Sequence, residues 1–392
     1  MFDGYYYNLN ENGDEESLVL DNGTRNIRIG LAGDDAPLDV FPNLTGHLQT
    51  FNKSTVFLDH YVGDQAQKNR EFLSLEFPME RGVVVNWDSM EKVWHRGFSS
   101  VRDSLASQNS SSTQKEKIPV LITDAALNPK TNREMIAEIM FERFYEPTVD
   151  FALPNILAIY SSGRNTALSV EIGEGVCSAY PVYEGHTPLA AMGRSDIAGR
   201  DITDYLGKLL TEKHGVSFST ASEREIVYEI KEKHAFVSER PPIGGGKTNG
   251  SIPYSLKTGE TLDINKEILC GCMEILFEPQ KYGYNGPSLQ QLIYNSIMEC
   301  DMDHRIHLQY NIFLTGGTAT VPGICERLRL ELAKLFPPRK ARFHVISPPE
   351  AKYSPWIGGS ILASLTTHGP CWITKELYDE YGPSVVWRHT WV

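Results

Sequence analysis

Glycine-rich turns follow three apolar, strand-like segments of the chain, at 21–24 (DNGT), 171–176 (EIGEGV) and 315–318 (TGGT). Because glycine has no β-carbon, each turn lets backbone N–H groups come close to a phosphate. Asp21, Glu171 and Glu174 accompany the first two turns, and such carboxylates can hold a hydrated Mg²⁺ that bridges phosphate oxygens. The pattern indicates a phosphate and cation site; the alternative is ordinary turns whose acidic side chains bond their own backbone.

The first two turns each join a pair of predicted strands. An Asn-Gly turn, the strongest short hairpin signal, connects strands predicted at 17–21 and 26–31. The second turn connects strands predicted at 166–171 and 176–182. A strand–turn–strand unit therefore occurs twice, which indicates two related halves of the chain.

Further strands alternate with helices. Apolar segments predict strands at 118–122, 156–160, 311–314 and 341–346. Capping residues predict helices that begin at Asn128–Pro129, at a Thr220/Glu223 capping box and at Pro322. The serine-rich segment 104–117 predicts an exposed loop. This alternation is typical of a layered α/β fold.

Composition limits both the architecture and the partners. The 392 residues are 41% hydrophobic and 22% charged, enough for a buried core in two domains or in one large α/β unit. A net charge of -13 argues against nucleic acid or anionic lipid as the main partner. No apolar stretch approaches the ~20 residues that span a bilayer, and the acidic segment 1–16 lacks the features of a secretory signal. Six sparse cysteines suit a reducing cytosol or nucleus.

Ten segments make the chain similar to actin and to the actin-related proteins of conventional size. They are AGDDAP (32–37), YVGDQAQ (61–67), NWDSMEKVW (86–94), LNPKTNRE (127–134), GRDITDYL (199–206), SEREIV (222–227), IKEK (230–233), LTGGT (314–318), KYSPWIGGSILASL (352–365) and GPSVV (382–386). The resemblance implies an actin-like ATPase fold, in which two duplicated α/β domains with four subdomains surround a nucleotide cleft.

Domain boundaries follow from the same resemblance. Residues 1–16 are expected to form a flexible acidic extension. The first domain is expected at 17–154 plus 352–392, with subdomain 2 at about 43–80. The second domain is expected at 155–351, with subdomain 4 at about 198–284.

ATP or ADP with Mg²⁺ or Ca²⁺ is the ligand that the resemblance implies. The cation would be held through water by Asp21 and Glu171. The residues implied to bind nucleotide are Asp21, Gly23, Thr24, Arg25, Arg28, Gly173, Glu174, Gly175, Val176, Gly199, Asp201, Lys231, Glu232, Gly316, Gly317, Thr318 and Lys352.

Departures from the family pattern concentrate in this cleft. Pro154 stands where the family has its water-positioning glutamine, and Ser178 stands in place of a histidine that helps to organise the water. Ile172 replaces a serine that contacts the terminal phosphate, while Glu171 and Glu174 replace aspartates. Because proline has no side-chain donor or acceptor, no catalytic residue is assigned, and we expect weak or absent ATP hydrolysis.

The phosphate hairpin and the cleft edge also depart from the pattern. Arg25 replaces a glycine, and Arg28 replaces a lysine. Arg25 is expected either to clamp a phosphate or to obstruct the cleft in part, unless its side chain turns out of the cleft. Arg81 stands where the family usually has a modified histidine.

Three functions are consistent with these features. The first is a cytoskeletal actin-like protein that binds Mg-ATP or ADP as a structural ligand and joins, caps or copolymerises with actin-type filaments. The second is a non-polymerising subunit of a larger axonemal, dynactin-like or chromatin-remodelling complex. The third is an ordinary active actin ATPase, so enzymatic activity stays open.

Partners and location follow from the first function. Actin, other actin-like subunits and actin-binding proteins are the expected partners, without direct nucleic-acid binding or membrane insertion. The expected location is the cytoplasm and cytoskeleton, with the nucleus as the alternative.

Overall fold

The computed structural model describes residues 17–48, 60–108, 117–125, 127–240, 250–255, 261–336 and 342–388. Strands in these ranges are β1 (Leu18–Asn22), β2 (Asn26–Leu31), β3 (Asp39–Pro42), β4 (Thr45–Leu48), β5 (Tyr61–Val62), β6 (Leu73–Glu76), β7 (Met79–Glu80), β8 (Val83–Val84), β9 (Val120–Thr123), β10 (Thr148–Ala152), β11 (Ala167–Ile172), β12 (Cys177–Val182), β13 (Gly193–Ser195), β14 (Ser251–Ser255), β15 (Thr261–Asn265), β16 (Ile312–Thr315), β17 (Val345–Ile346) and β18 (Ile373–Thr374).

Helices lie between these strands. They are α1 (Asp64–Lys68), α2 (Trp87–Gln108), α3 (Lys130–Glu138), α4 (Pro154–Ser161), α5 (Gly199–His214), α6 (Ala221–His234), α7 (Lys266–Gly271), α8 (Leu289–Met298), α9 (Met302–Gln309), α10 (Ile324–Leu335), α11 (Ser354–Ala363) and α12 (Lys375–Tyr381). Helix α3 continues as a π-helical segment, Ile139–Arg143. Within the described ranges, no helix is both long and apolar enough to cross a membrane.

Two mixed sheets repeat one pattern of strand pairing. The first has the order β18-β10-β9-β1-β2-β3, and the second has the order β13-β12-β11-β16-β17. In each sheet a hairpin, β1–β2 or β11–β12, pairs in parallel through its first strand with β9 or β16. The second hairpin strand pairs antiparallel with β3 or β13. The repeated hairpin in the sequence is therefore part of a repeated sheet.

Each sheet carries its own buried apolar cluster. The first cluster draws its residues from 18–151 and 373–386, and it includes Trp94 and Phe98. The second draws its residues from 168–345, and it includes Phe277 and Leu314. Two large cores rather than one are what a chain of this length is expected to need.

Helices α4 and α11 pack backbone against backbone. A β-carbon added at Gly358 would lie 1.8 Å from the Leu157 carbonyl oxygen, and one added at Gly359 would lie 2.8 Å from a methyl of Val19. Glycine at these positions therefore allows α11 to lie directly on α4 and on the first sheet.

Several local predictions were confirmed. Strand β2 has its predicted bounds, and the capping box before α6 forms, with Glu223 N donating to Thr220 Oγ1 at 3.2 Å and Thr220 N donating to Glu223 Oε2 at 2.9 Å. Cys177, Cys270, Cys272 and Cys300 are buried free thiols.

Other local predictions were wrong. The segment 156–160, predicted as a strand, lies in α4, because a helix covered on several sides is apolar all round and its period is lost. Helix α2 extends to Gln108 into the predicted loop 104–117, because Leu105 packs on the first core. The strand predicted at 341–346 covers only Val345–Ile346, with residue 341 outside the described ranges.

Two helix starts differ from their predictions. Helix α10 begins at Ile324, with Gly323 as its N-cap, instead of at Pro322. Helix α3 begins at Lys130, and the N-cap is Pro129, without a side-chain cap. The side chain of Asn128 does not cap this helix but donates to Asp124 Oδ1 at 2.5 Å.

A Gly358→Ala substitution should destabilise the protein. The new β-carbon would meet backbone rather than a movable side chain, so we expect a loss of about 1–3 kcal/mol in the free energy of unfolding, measured by urea denaturation. Gly271→Ala is the matched control, because a β-carbon there meets nothing within 4 Å. Equal unfolding midpoints for the two variants would contradict the direct packing of α4 and α11.

Candidate functional site

The turns of the two sheet hairpins face each other. A β-carbon added at Gly175 would lie 2.8 Å from Thr24 Oγ1 and 2.9 Å from the Cα of Arg81, so only glycine fits between them. Thr24 Oγ1 also accepts a hydrogen bond from the Gly82 amide at 3.1 Å. In the first turn, a β-carbon at Gly23 would lie 2.6 Å from the Asn26 carbonyl oxygen. The two turns thus form adjoining walls of one cleft.

The third glycine turn completes the cleft. Gly316 has a φ of +94°, and a β-carbon there would lie 2.6 Å from the Ile172 carbonyl oxygen. Gly317 faces open space, with nothing within 4 Å of its β-carbon position. The predicted residues that line the cleft are Asp21, Gly23, Thr24, Arg25, Arg28, Glu171, Gly173, Glu174, Gly175, Val176, Lys231, Glu232, Gly316, Gly317, Thr318 and Lys352.

Gly199 and Asp201 lie behind the cleft lining, at the start of α5. A β-carbon at Gly199 would lie 2.5 Å from Glu174 Oε2, so glycine leaves room for that carboxylate. Asp201 accepts a hydrogen bond from the Ala198 amide at 3.0 Å and caps the helix. It also pairs with Arg81, whose Nη2 lies 3.1 Å from Asp201 Oδ1. The structure gives these two predicted site residues a supporting position.

Carboxylates and Arg28 form the acidic end of the cleft. Asp21 is 4% exposed; it accepts from Arg28 Nη1 at 2.6 Å and from Thr123 Oγ1 at 2.9 Å. Desolvation, and then repulsion by Asp21, raises the pKa of Glu171 to about 7. A divalent cation near these two carboxylates would relieve the repulsion between them. The described residues contain no group of three or more His, Cys, Asp or Glu side chains that could hold a metal ion.

Pro154, Ile172 and Ser178, the residues that depart from the family pattern, do not present side-chain polar atoms to the cleft. Pro154 lines the cleft as the first residue of α4. Ile172 is fully buried in the core of the second sheet. Ser178 is also fully buried; its Oγ lies 3.1 Å from Asn155 Oδ1 and 3.4 Å from Glu171 Oε2. Ser178 therefore contacts Glu171 from the protein interior instead of from the cleft.

Lysine–glutamate pairs form the opposite end of the cleft. Lys231 Nζ lies 3.0 Å from Glu174 Oε2, 2.8 Å from the Gly199 carbonyl oxygen and 4.6 Å from the centre of the Tyr228 ring. Lys352 Nζ lies 2.5 Å from Glu232 Oε1, and this pair joins α6 to the segment that precedes α11. These paired groups and the open face of Gly317 line the same cleft.

Arg25 reaches out of its turn to α6. Its Nη1 and Nη2 lie 2.6 and 2.5 Å from the two oxygens of Glu225, and its guanidinium carbon lies 3.8 Å from the centre of the Tyr228 ring. Sequence reasoning assigns no role to Glu225 or Tyr228, although Glu225 lies in the segment 222–227 that supports the family resemblance. Their spacing of three residues, which places both on one helix face, was the available signal.

One comparison identifies the family. A family model described as actin matches residues 12–390, nearly the whole chain. Members of this family generally bind ATP or ADP with a divalent cation. The match and the two-sheet architecture agree with the resemblance seen in the sequence segments. The chain therefore belongs to the actin family, and its α/β fold is actin-like.

Proposed function

We propose that this protein binds ATP or ADP with Mg²⁺ or Ca²⁺ in the cleft as a structural ligand and hydrolyses ATP weakly or not at all. The observation that carries the proposal is the convergence of three glycine turns and two lysine pairs on one cleft, which Pro154 also lines. The family resemblance puts Pro154 in place of the water-positioning glutamine. Family membership supports nucleotide binding, and the geometry supports the loss of hydrolysis.

The glycine turns of the cleft suit the phosphate groups of the proposed nucleotide. Gly23, Gly175 and Gly316 line the cleft, and the lack of a β-carbon at each lets the turns pack closely around it. Asp21 and Glu171 would hold the cation, largely through water, and a bound cation would neutralise phosphate charge.

Charge balance explains why a cation is needed. The cleft lining contains four basic residues, Arg25, Arg28, Lys231 and Lys352, and four acidic residues, Asp21, Glu171, Glu174 and Glu232. Each of these basic side chains is already paired with a carboxylate. A polyphosphate therefore enters a cleft with no formal excess of positive charge, and divalent cations should support its binding.

The described cleft has no evident side chain that could align a water molecule for hydrolysis. The side chain of Pro154, at the first position of α4, offers neither a hydrogen-bond donor nor an acceptor. The hydroxyl of Ser178 lies within hydrogen-bonding distance of Asn155 and Glu171. A positioned base contributes about 10²–10⁴ to a rate, which is the reduction that we expect.

Two domains with the boundaries 17–154 plus 352–392 and 155–351 are also part of the proposal. The division of the buried residues into two clusters supports these boundaries.

We propose further that the chain joins, caps or copolymerises with actin-type filaments in the cytoplasmic cytoskeleton. A fixed place in a larger complex is the second candidate, favoured by the altered positions 154, 172 and 178.

Nucleotide content and turnover test the ligand proposal directly. Protein purified in Mg²⁺ and then denatured should release about one ATP or ADP per chain, and chelation of the cation should deplete it. Phosphate release from added ATP should be about 10²–10⁴-fold slower than from conventional actin assayed in parallel. Turnover at the rate of conventional actin would refute the loss of hydrolysis, whereas empty protein would refute nucleotide binding.

A Gly175→Ala substitution tests whether the close approach of the two hairpin turns supports nucleotide binding. Its β-carbon would push against Thr24 and Arg81, so we expect at least about tenfold weaker binding of a fluorescent ATP analogue, a change of about 1.4 kcal/mol. Gly207→Ala on α5 is the control, because its β-carbon would make only ordinary contacts at 3.8 Å or more with Val227. Circular dichroism separates a binding loss from misfolding, and equal affinities would count against this role of the two turns.

Sedimentation separates the two cytoskeletal roles. We expect the protein to pellet with conventional actin filaments, or to change the amount of actin that pellets. Protein that stays in the supernatant and leaves actin assembly unchanged would instead favour the fixed subunit of a larger complex.

A further inference from the structure

The ion pair between Arg25 and Glu225 joins the two halves of the molecule. Arg25 belongs to the β1–β2 turn of the first sheet, while Glu225 lies on α6, which packs on the second core through Val227 and Ile230. The two parallel contacts match the fork of a guanidinium to the two oxygens of a carboxylate. The Arg25 and Glu225 side chains are 13% and 4% exposed, so solvent screens the pair weakly.

Neighbouring groups fix the geometry of this pair. The Tyr228 ring lies against the guanidinium at 3.8 Å, and Gln67 Nε2 donates to Glu225 Oε2 at 2.7 Å. Burial opposes the charge of Glu225, yet its pKa is lowered because Arg25 and Gln67 donate hydrogen bonds to it. Burial likewise opposes the charge of Arg25, whose pKa is nevertheless raised by Glu225. Both partners are thus held in their charged forms.

A second pair strengthens the same junction. Arg70, just after α1, donates from Nη1 to Glu229 Oε1 at 2.6 Å, and Tyr254 Oη donates to Glu229 Oε2 at 3.3 Å. Glu229 lies one helical turn after Glu225 on α6. The first half therefore holds α6 at two successive turns.

These contacts decide between the two roles expected for Arg25. Two of its terminal nitrogens are engaged by Glu225, its face lies on Tyr228, and its charge is balanced by a carboxylate. The side chain therefore spans the cleft wall instead of projecting a free cation toward a phosphate.

We propose that Arg25 is a latch that holds the cleft closed through Glu225 and Tyr228 in the absence of nucleotide, so that ligand entry and release require this pair to separate. The latch is a property of the chain itself, and only its effect on ligand exchange rests on the proposed nucleotide binding. The usual glycine at this position of the family pattern could not form it.

Hydrogen exchange of the nucleotide-free, full-length protein tests the latch without a ligand. In Arg25→Gln and in Glu225→Gln, the backbone amides of α1, α6 and the β1–β2 turn should exchange about tenfold faster than in the unsubstituted protein, as expected for the loss of a charge-assisted pair. The double variant should exchange no faster than either single variant, because both substitutions break one interaction.

Arg224→Gln is the matched control. Arg224 is on the same helix and pairs with Asp204 of α5, but this pair is exposed and does not join the two halves. In Arg224→Gln, we expect the backbone amides of α1, α6 and the β1–β2 turn to exchange as in the unsubstituted protein. Exchange in Arg25→Gln that equals exchange in Arg224→Gln would overturn the latch.

Displacement of a fluorescent ATP analogue supplies the second readout. Release from Arg25→Gln and Glu225→Gln should be about tenfold faster than from the unsubstituted protein and from Arg224→Gln. If no variant binds the analogue while the exchange differences remain, the latch stands and the proposed nucleotide binding fails. If all variants bind it with the same release rate and hydrogen exchange is unchanged, the latch fails and nucleotide binding stands.

Discussion

Steric room at the meeting point of two hairpin turns is the constraint on which the rest of the cleft depends. Any side chain at Gly175 would collide with Thr24 and with the backbone of Arg81, and a β-carbon at Gly199 would collide with Glu174. The sheets can therefore bring their turns together only because both positions are glycine. Once the turns adjoin, the carboxylates of Asp21 and Glu171 come close together, and the remaining cleft residues are positioned around them.

Paired charges then determine what the cleft can accept. All four basic residues in the described lining are engaged by carboxylates, and one of these carboxylates, Glu225, belongs to the cleft wall rather than to the lining. A ligand of high negative charge must compete with these internal partners. Separation of the existing ion pairs costs free energy, which a divalent cation and backbone N–H groups would have to offset.

Local sequence signals predicted much of the fold, whereas the family resemblance supplied most of the predicted residues that line the cleft. The bounds of β2 and the capping box of α6 depend on neighbouring residues, and both were confirmed. The strand predicted at 156–160 was wrong because burial of α4 against α11 is a tertiary effect that removes the helical period. The partner of Arg25 was missed for a related reason, since the pair spans 200 residues. The spacing of Glu225 and Tyr228 places both on one helix face but does not point to Arg25. Gly199 and Asp201 were placed in the lining by resemblance, although they lie one layer behind it.

The contact of α4 with α11 has a mechanical consequence. Where a glycine backbone lies directly on a neighbouring carbonyl group, as Gly358 lies on Leu157, the two helices have no space in which to slide. A sliding motion of α4 against α11 would press the Leu157 carbonyl group into the α11 backbone. These two helices are therefore expected to move together, as one unit, in any conformational change.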